Sequence, residues 1–307
     1  MNIFLTGATG YIGGSVAAAL KDAGHRVRGL VRSPANAELV GNAGIEPVFG
    51  SLADVDLLKF EARAADGVIN TASADDLESV EAMLEALQGS GKVFLHTSGS
   101  SVIGDDARGE WTADAIFDED TPFVVEPLKQ PRHALNQFIL GAADRGIRSA
   151  VICPSLIYGV GRGINPLSIQ IPSLVQNARE NGVVQIVGKG ANRWSNVHID
   201  DVTALYLLAF DNATSGAFYF VENGEASFAE IGAAIATRLG LGTVESLDAE
   251  EAASRWSEPL AFYSLGSNSR VRAKRARHDL GWSPQHASVT SWILNEMPTR
   301  HDSHLSP

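Results

Sequence analysis

The sequence predicts an α/β protein: a Rossmann-type, doubly wound parallel sheet with a smaller, discontinuous substrate lobe. Three observations carry that prediction. Short β-type runs alternate with amphipathic helical stretches through the first half, as the crossovers of a parallel sheet require. A glycine-rich turn directly follows the first strand. The 307 residues, 45% of them hydrophobic and 20% charged, suffice for a large core divided around a cleft.

Taken in order, strands are expected at Asn2–Thr6, Arg26–Val31, Ile45–Phe49, Gly67–Asn70, Val93–Thr97 and Ser149–Cys153. Between them, apolar residues at helical spacing predict helices near Tyr11–Ala23, Pro34–Val40, Val55–Ala64, Leu77–Gln88 and Leu128–Asp144. The stretch Gly104 to Pro127 is irregular and acidic, with Asp105, Asp106, Glu110, Asp114, Asp118, Glu119, Asp120 and Glu126. It reads as a solvated loop or as a rim over a site. The dinucleotide-binding domain spans 1–159, with 197–210 returning to it, and the smaller lobe takes 160–196 and 211–297. Residues 298–307, polar and without periodicity, read as a tail.

The most informative motif is Thr6-Gly7-Ala8-Thr9-Gly10-Tyr11-Ile12-Gly13, at the first strand-to-helix junction. Glycines there permit a tight turn, close approach of the backbone to a pyrophosphate, and hard packing of helix on strand. The helix N-terminus then offers free N–H groups to the phosphates. An acid at the end of the second strand would hold the ribose 2′-hydroxyl of NAD. The strand instead ends Val31-Arg32-Ser33, and a guanidinium suits a 2′-phosphate, which points to NADP(H) rather than NAD(H).

With 24 Lys+Arg against 36 Asp+Glu, the net charge of −12 argues against nucleic acid and anionic membranes as partners. No apolar run reaches the roughly 20 residues of a membrane span, and no export signal opens the chain. The single cysteine, Cys153, excludes an internal disulfide, and no metal site is expected. A cytoplasmic protein acting on a small-molecule substrate is the expectation.

These motifs resemble the extended branch of the short-chain dehydrogenase/reductase superfamily, the epimerase and dehydratase group. The resemblance rests on TGATGYIG, on Gly50-Ser51-Leu52-Ala53-Asp54, and on Asn70-Thr71-Ala72-Ser73. It continues through Thr97 to Gly104, Pro154-Ser155-Leu156-Ile157-Tyr158-Gly159, Val197 to Asp201 and Leu280 to Pro284. It implies that Gly7, Thr9, Gly10, Tyr11, Ile12 and Gly13 border the pyrophosphate, Arg32 the 2′-phosphate and Leu52 the adenine. Thr71, Ala72 and Ser73 would follow the ribose, and Pro154, Ser155, Leu156 and Ile157 the nicotinamide. Ser51 stands where the group has an aspartate, and Asp201 is given a structural role. Pairing of two copies through the helices at Leu77 and Leu128 is also implied.

The resemblance breaks at its catalytic pair. Tyr-x-x-x-Lys places both side chains on one helical face, and none of the five tyrosines is followed by lysine at that spacing. Leu128 and Arg132 stand where the pair is expected, which makes the chain an atypical member. Arg132 keeps a positive charge for the ribose. Catalytic candidates near the nicotinamide are Ser98, Ser100, His133 and Tyr158. In the second lobe Trp194 occupies the place of an arginine that grips a sugar diphosphate, with Arg193 and Arg162 as further substrate candidates.

The leading reading is an NADP(H)-dependent oxidoreductase acting on the carbonyl, or a related polarised double bond, of a small organic compound by a mechanism without the tyrosine. A catalytically silent NADP-binding sensor is the alternative, and a sugar-nucleotide epimerase or dehydratase a third.

Overall fold

The computed structural model describes residues 1–299; the tail expected at 298–307 lies outside the described residues from position 300 on. Six parallel strands come from the first half: β1 (Asn2–Thr6), β2 (Arg26–Val31), β3 (Glu46–Phe49), β4 (Gly67–Asn70), β5 (Val93–Thr97) and β6 (Arg148–Pro154). Later strands are β7 (Leu156–Tyr158), β8 (Val184–Val187), β9 (Arg193–His198), β10 (Ala217–Val221), β11 (Glu225–Ser227) and β12 (Val244–Leu247). The central sheet runs β10-β6-β5-β4-β1-β2-β3, all parallel. Strand order reverses between β1 and β4, so a crevice opens beyond their carboxyl ends.

Helices cover both faces because the strands are apolar on both sides. On one face α1 (Tyr11–Asp22) and α2 (Pro34–Asn42) contribute Val16, Ala17, Leu20 and Val40 to a core. On the other, α3 (Val55–Ala64), α4 (Leu77–Leu87) and α5 (Gln130–Leu140) bury Leu58, Met83, Leu84, Leu135 and Ile139. The helix expected over Leu128–Asp144 is α-helical only in its middle, with 3₁₀ turns at Pro127–Lys129 and Gly141–Arg145. Gly146 ends it in the left-handed region, at φ 70°.

A second core gathers α6 (Gln170–Asn181), β8, Trp194 and a further helix, Phe228–Leu239. That last helix carries a capping box formed by Ser227 and Glu230. The boundary expected at 211 needs correction. Ala217–Val221 is the seventh strand of the central sheet, paired with β6, and Ala276, Leu280 and Trp282 join the first core with helix α7 (Ile199–Asn212). The run Phe218-Tyr219-Phe220-Val221 is the continuous apolar stretch of a strand packed on both faces, a strand the sequence analysis did not expect.

The acidic insert is strapped down rather than solvated. Phe117 and Arg270–Arg272 exchange backbone hydrogen bonds, and the Glu119 carboxylate accepts from the N–H groups of Phe220, Lys274 and Arg275. Asp120 pairs with Lys274 and Arg275. Phe117 and Phe123 pack onto a small core of Val102, Ile103, Val125, Cys153, Phe220 and Val271. The acidity of the insert answers Lys274 and Arg275, while Arg270 and Arg277 pair with Glu225 and Glu222.

Candidate functional site

The crevice is floored by the glycine turn. Gly7 sits at φ +78°, and a Cβ there would lie 2.6 Å from Thr71 Oγ1 and 2.8 Å from the Thr71 carbonyl carbon. A Cβ on Gly13 would run into the Gly7 carbonyl. Helix α1 therefore starts hard against β1 and β4, with Gly10 as an N-cap that makes no side-chain bond to the first turn. Its leading N–H groups are left for an anion, which is what a dinucleotide pyrophosphate requires. Thr9, Tyr11 and Ile12 surround this turn. The Tyr11 hydroxyl donates to the carbonyls of Tyr158 and Gly159 at 3.1 and 2.9 Å, tying the turn to β7.

In the first half of β2, Arg26 and Arg28 are held by Glu46 and Glu61. Arg32 is exposed and, among the described residues, has no hydrogen-bond or carboxylate partner. Ser33 beside it caps α2 by accepting from the N–H of Asn36. Leu52 is half-buried against the α3/α4 face. The residues present thus fit a dinucleotide.

After β4, Thr71 Oγ1 donates to the Thr6 carbonyl at 2.7 Å, and Ser73 Oγ accepts from the N–H of Asp75. Ala72 is exposed between them. Below lies a buried polar chain: Thr6 donates to Asn70, whose amide donates to His96 Nδ1 at 3.1 Å. Burial holds His96 neutral, its pKa lowered to about 4. An unfolded histidine binds protons below its ordinary value of about 6.5, whereas the folded one does not until about 4. Stability should therefore fall by about 3 kcal/mol as pH drops across that window. His96→Gln should flatten this loss in urea unfolding followed from neutral to acid pH; an unchanged acid limb would place the effect elsewhere.

Arg132 bridges the ends of β4 and β5. Its guanidinium takes both Asp75 oxygens, at 2.7 and 2.6 Å, and donates to Ser101 Oγ at 3.1 Å. Asp75 is held below the usual carboxylate range by that bond. Ser101, not Ser100, is the serine of this loop that meets Arg132. Ser100 is buried with its hydroxyl 2.7 Å from that of Ser269, so its role as a carbonyl contact is not supported. Ser98 is also buried, and its oxygen accepts from the Asn136 amide at 3.0 Å.

Other candidates are committed to the fold. The buried Tyr158 phenol donates to the His286 carbonyl at 3.0 Å, which removes it as a proton donor. Arg162 pairs with Asp22 on α1 at 2.5 Å, away from the cleft. Arg193 is neutralised by Glu225 and Glu230, and the buried Trp194 donates from Nε1 to the Ser267 carbonyl at 2.7 Å. None of these three is free to grip a substrate. Pro154, Ser155, Leu156 and Ile157 are buried where β6 passes into β7, Leu156 and Ile157 serving different cores. His133 stands edge-on to Phe123, ring centroids 5.7 Å apart.

A cleft of about 630 Å³ opens beside the β5 loop. Ile103, Trp111, Phe117, Phe123 and Val124 give it apolar walls; Asp105, Asp114 and Glu126 add acid, and Arg270 is its one cation. Arg270 is bound at both ends of the Glu225 carboxylate, at 2.9 Å each. The insert, which the sequence offered as a solvated loop or as a rim over a site, supplies nearly all of these walls, and Asn268 and Arg270 join it from far along the chain.

A metal-like grouping also went unseen: ligand atoms of His198, Asp200 and His286 lie within 4.8 Å of one another. His198 Nδ1 accepts the Asp200 N–H at 3.2 Å. His286 Nδ1 lies 3.2 Å from Asp201, which also takes the N–H groups of Gln285 and His286. Asp201 is thus the structural anchor its motif implied.

An uncapped helix over a glycine turn at the switch point of a doubly wound sheet defines a dinucleotide-binding α/β protein. The chain belongs to the NAD-dependent epimerase/dehydratase family, which matches over residues 3–219. It is 36% identical to "Oxidase ucsJ" of Acremonium sp, over 92% of each chain. It is 26% identical to the 4-hydroxy-2-methyl-3-oxo-4-farnesyl-3,4-dihydroquinoline-1-oxide ketoreductase of Stigmatella aurantiaca, again over 92% of each. Among solved structures, DesIV, a dTDP-glucose 4,6-dehydratase from Streptomyces venezuelae with NAD and TYD bound, matches with a TM-score of 0.76. That match covers 96% of this chain and 95% of the other at 19% identity, a likeness of fold. No described helix is long and apolar enough to cross a membrane.

Proposed function

We propose that the protein is an NADP(H)-dependent reductase of the carbonyl, or a related polarised double bond, of a small, apolar organic compound. The observation that carries this reading is the cleft beside the β5 loop: mostly apolar, edged with carboxylates, its single guanidinium neutralised by Glu225. Such walls favour a neutral apolar molecule and repel a diphosphate. The ketoreductase relative, whose substrate name carries both an oxo group and a farnesyl chain, agrees with that class. The unpaired Arg32 supports NADP(H), and the lone buried Cys153 suits a reducing cytoplasm.

NADPH supplies the hydride. The chain's own part is to hold the pyrophosphate at α1, to fix the ends of β4 and β5 through Arg132, and to exclude water with the strapped insert.

The test is NADPH oxidation with neutral aliphatic and aromatic ketones and aldehydes, against keto acids and sugar nucleotides. Turnover should concentrate among the neutral apolar members. A sugar nucleotide bound at micromolar concentration and turned over would overturn the reading, and NADPH binding with no turnover would favour the cofactor sensor.

A further inference from the structure

We propose that Tyr263 is the proton donor of this site, with the Lys129 ammonium as its electrostatic partner; the assignment rests on the reductase reading above. Reduction of a carbonyl needs an acid as well as a hydride, and four of the five phenols already have hydrogen-bond partners within the fold. Tyr11 and Tyr158 donate to backbone carbonyls, Tyr206 bonds Thr97 at 2.5 Å, and Tyr219 accepts from the Thr214 N–H. Tyr263 alone has no hydrogen-bond partner for its hydroxyl among the described residues, and it is only partly buried.

Its surroundings are those of a working acid. Lys129 Nζ lies over the Tyr263 ring, 5.0 Å from the centroid. The contact sets a positive charge against the face of the phenol ring. Lys129 sits one helical turn before Arg132, the residue that joins the ends of β4 and β5. Burial and the nearby Arg132 lower the Lys129 pKa.

Tyr263 itself is carried on one turn of π-helix, Ala261–Leu265, a form that recurs at functional sites. The segment is entered through Ser257 at φ +110°, a strained conformation for a residue with a Cβ. It is fixed against the β5 loop: Ser267 Oγ donates to the Tyr263 carbonyl at 3.0 Å, and Ser269 bonds Ser100. The ring is thereby held between the second core, on which it packs, and Lys129 at the start of α5.

The step balances. As the hydride reaches the carbonyl carbon, the Tyr263 O–H bond breaks and a new O–H bond forms on the substrate oxygen. NADPH is oxidised, the carbonyl becomes an alcohol, and the phenolate regains its proton from water.

Nitration by tetranitromethane, which attacks phenolate, reads the assignment without turnover. Peptide mass spectrometry of the native protein should find Tyr263 modified at least about tenfold faster than each of the other four tyrosines. Lys129→Met should slow that reaction, and saturating NADP⁺ together with a neutral ketone should protect it. In turnover, Tyr263→Phe should bind NADPH like the parent and lose roughly a hundredfold in kcat with little change in KM. If no ketone is reduced yet NADP⁺ protects Tyr263, the reductase reading fails and the placement of the phenol at the cofactor site stands. If reduction proceeds and Tyr263 is unprotected, or Tyr263→Phe turns over at the parent rate, this proposal is overturned and the reductase reading survives.

Discussion

Gly7→Ala is expected to weaken dinucleotide binding by at least about a hundredfold and to cost the fold about 2–4 kcal/mol. Two effects add. Alanine at φ +78° carries backbone strain of about 1–3 kcal/mol. Its methyl group would also stand 2.8 Å from the Thr71 carbonyl carbon and 2.9 Å from the Ala72 nitrogen, so the end of β4 would have to retreat. That end is one wall of the crevice, and its retreat moves the first turn of α1 from the pyrophosphate. Gly24→Ala is the matched control: φ is +82°, but a Cβ there meets nothing within 4 Å. It should show strain without any effect on the cofactor. Urea unfolding and fluorescence titration with NADPH read both quantities. Gly7→Ala binding within threefold of the parent would show that the turn does not cradle the cofactor.

The central sheet was legible because each of its first six strands is a short apolar run closed by a glycine, an asparagine or a charged turn. β10 was not read as a strand at all, and its partner β6 lies more than sixty residues earlier, so its pairing leaves no local mark. The glycine turn was found by position as much as by composition. Catalytic candidates chosen by proximity to motifs fared differently. Ser100 and Tyr158 belong to recognisable motifs, yet their hydroxyls are bonded to Ser269 and the His286 carbonyl, partners far along the chain. Arg193 and Trp194 are satisfied by Glu225 and the Ser267 carbonyl, partners that could not be read from spacing. The same limit hid the Lys129 and Tyr263 contact: a search for tyrosine and lysine four residues apart sees one helix face, whereas these two meet across lobes. The acidity of the insert was visible; its matching to Lys274 and Arg275 was not, although both charge runs stand in the sequence.

Arg32→Ala is expected to lower the affinity for NADPH by about 10- to 100-fold and to leave that for NADH nearly unchanged. A charge-assisted, forked bond from guanidinium to phosphate contributes about 1.5–3 kcal/mol, and only NADPH carries the 2′-phosphate. The neighbouring arginines cannot substitute, because Glu46 and Glu61 hold Arg26 and Arg28 along β2. Arg32 has no such partner, so its removal frees no buried carboxylate and should leave the urea midpoint within experimental error. The contact is exposed, and the selectivity for NADPH should therefore decline as salt rises. Titration of the parent and the variant with both cofactors, at low and high ionic strength, measures the difference directly. Equal losses for NADPH and NADH would mean that Arg32 supports the adenosine half in general, and the 2′-phosphate assignment would fall.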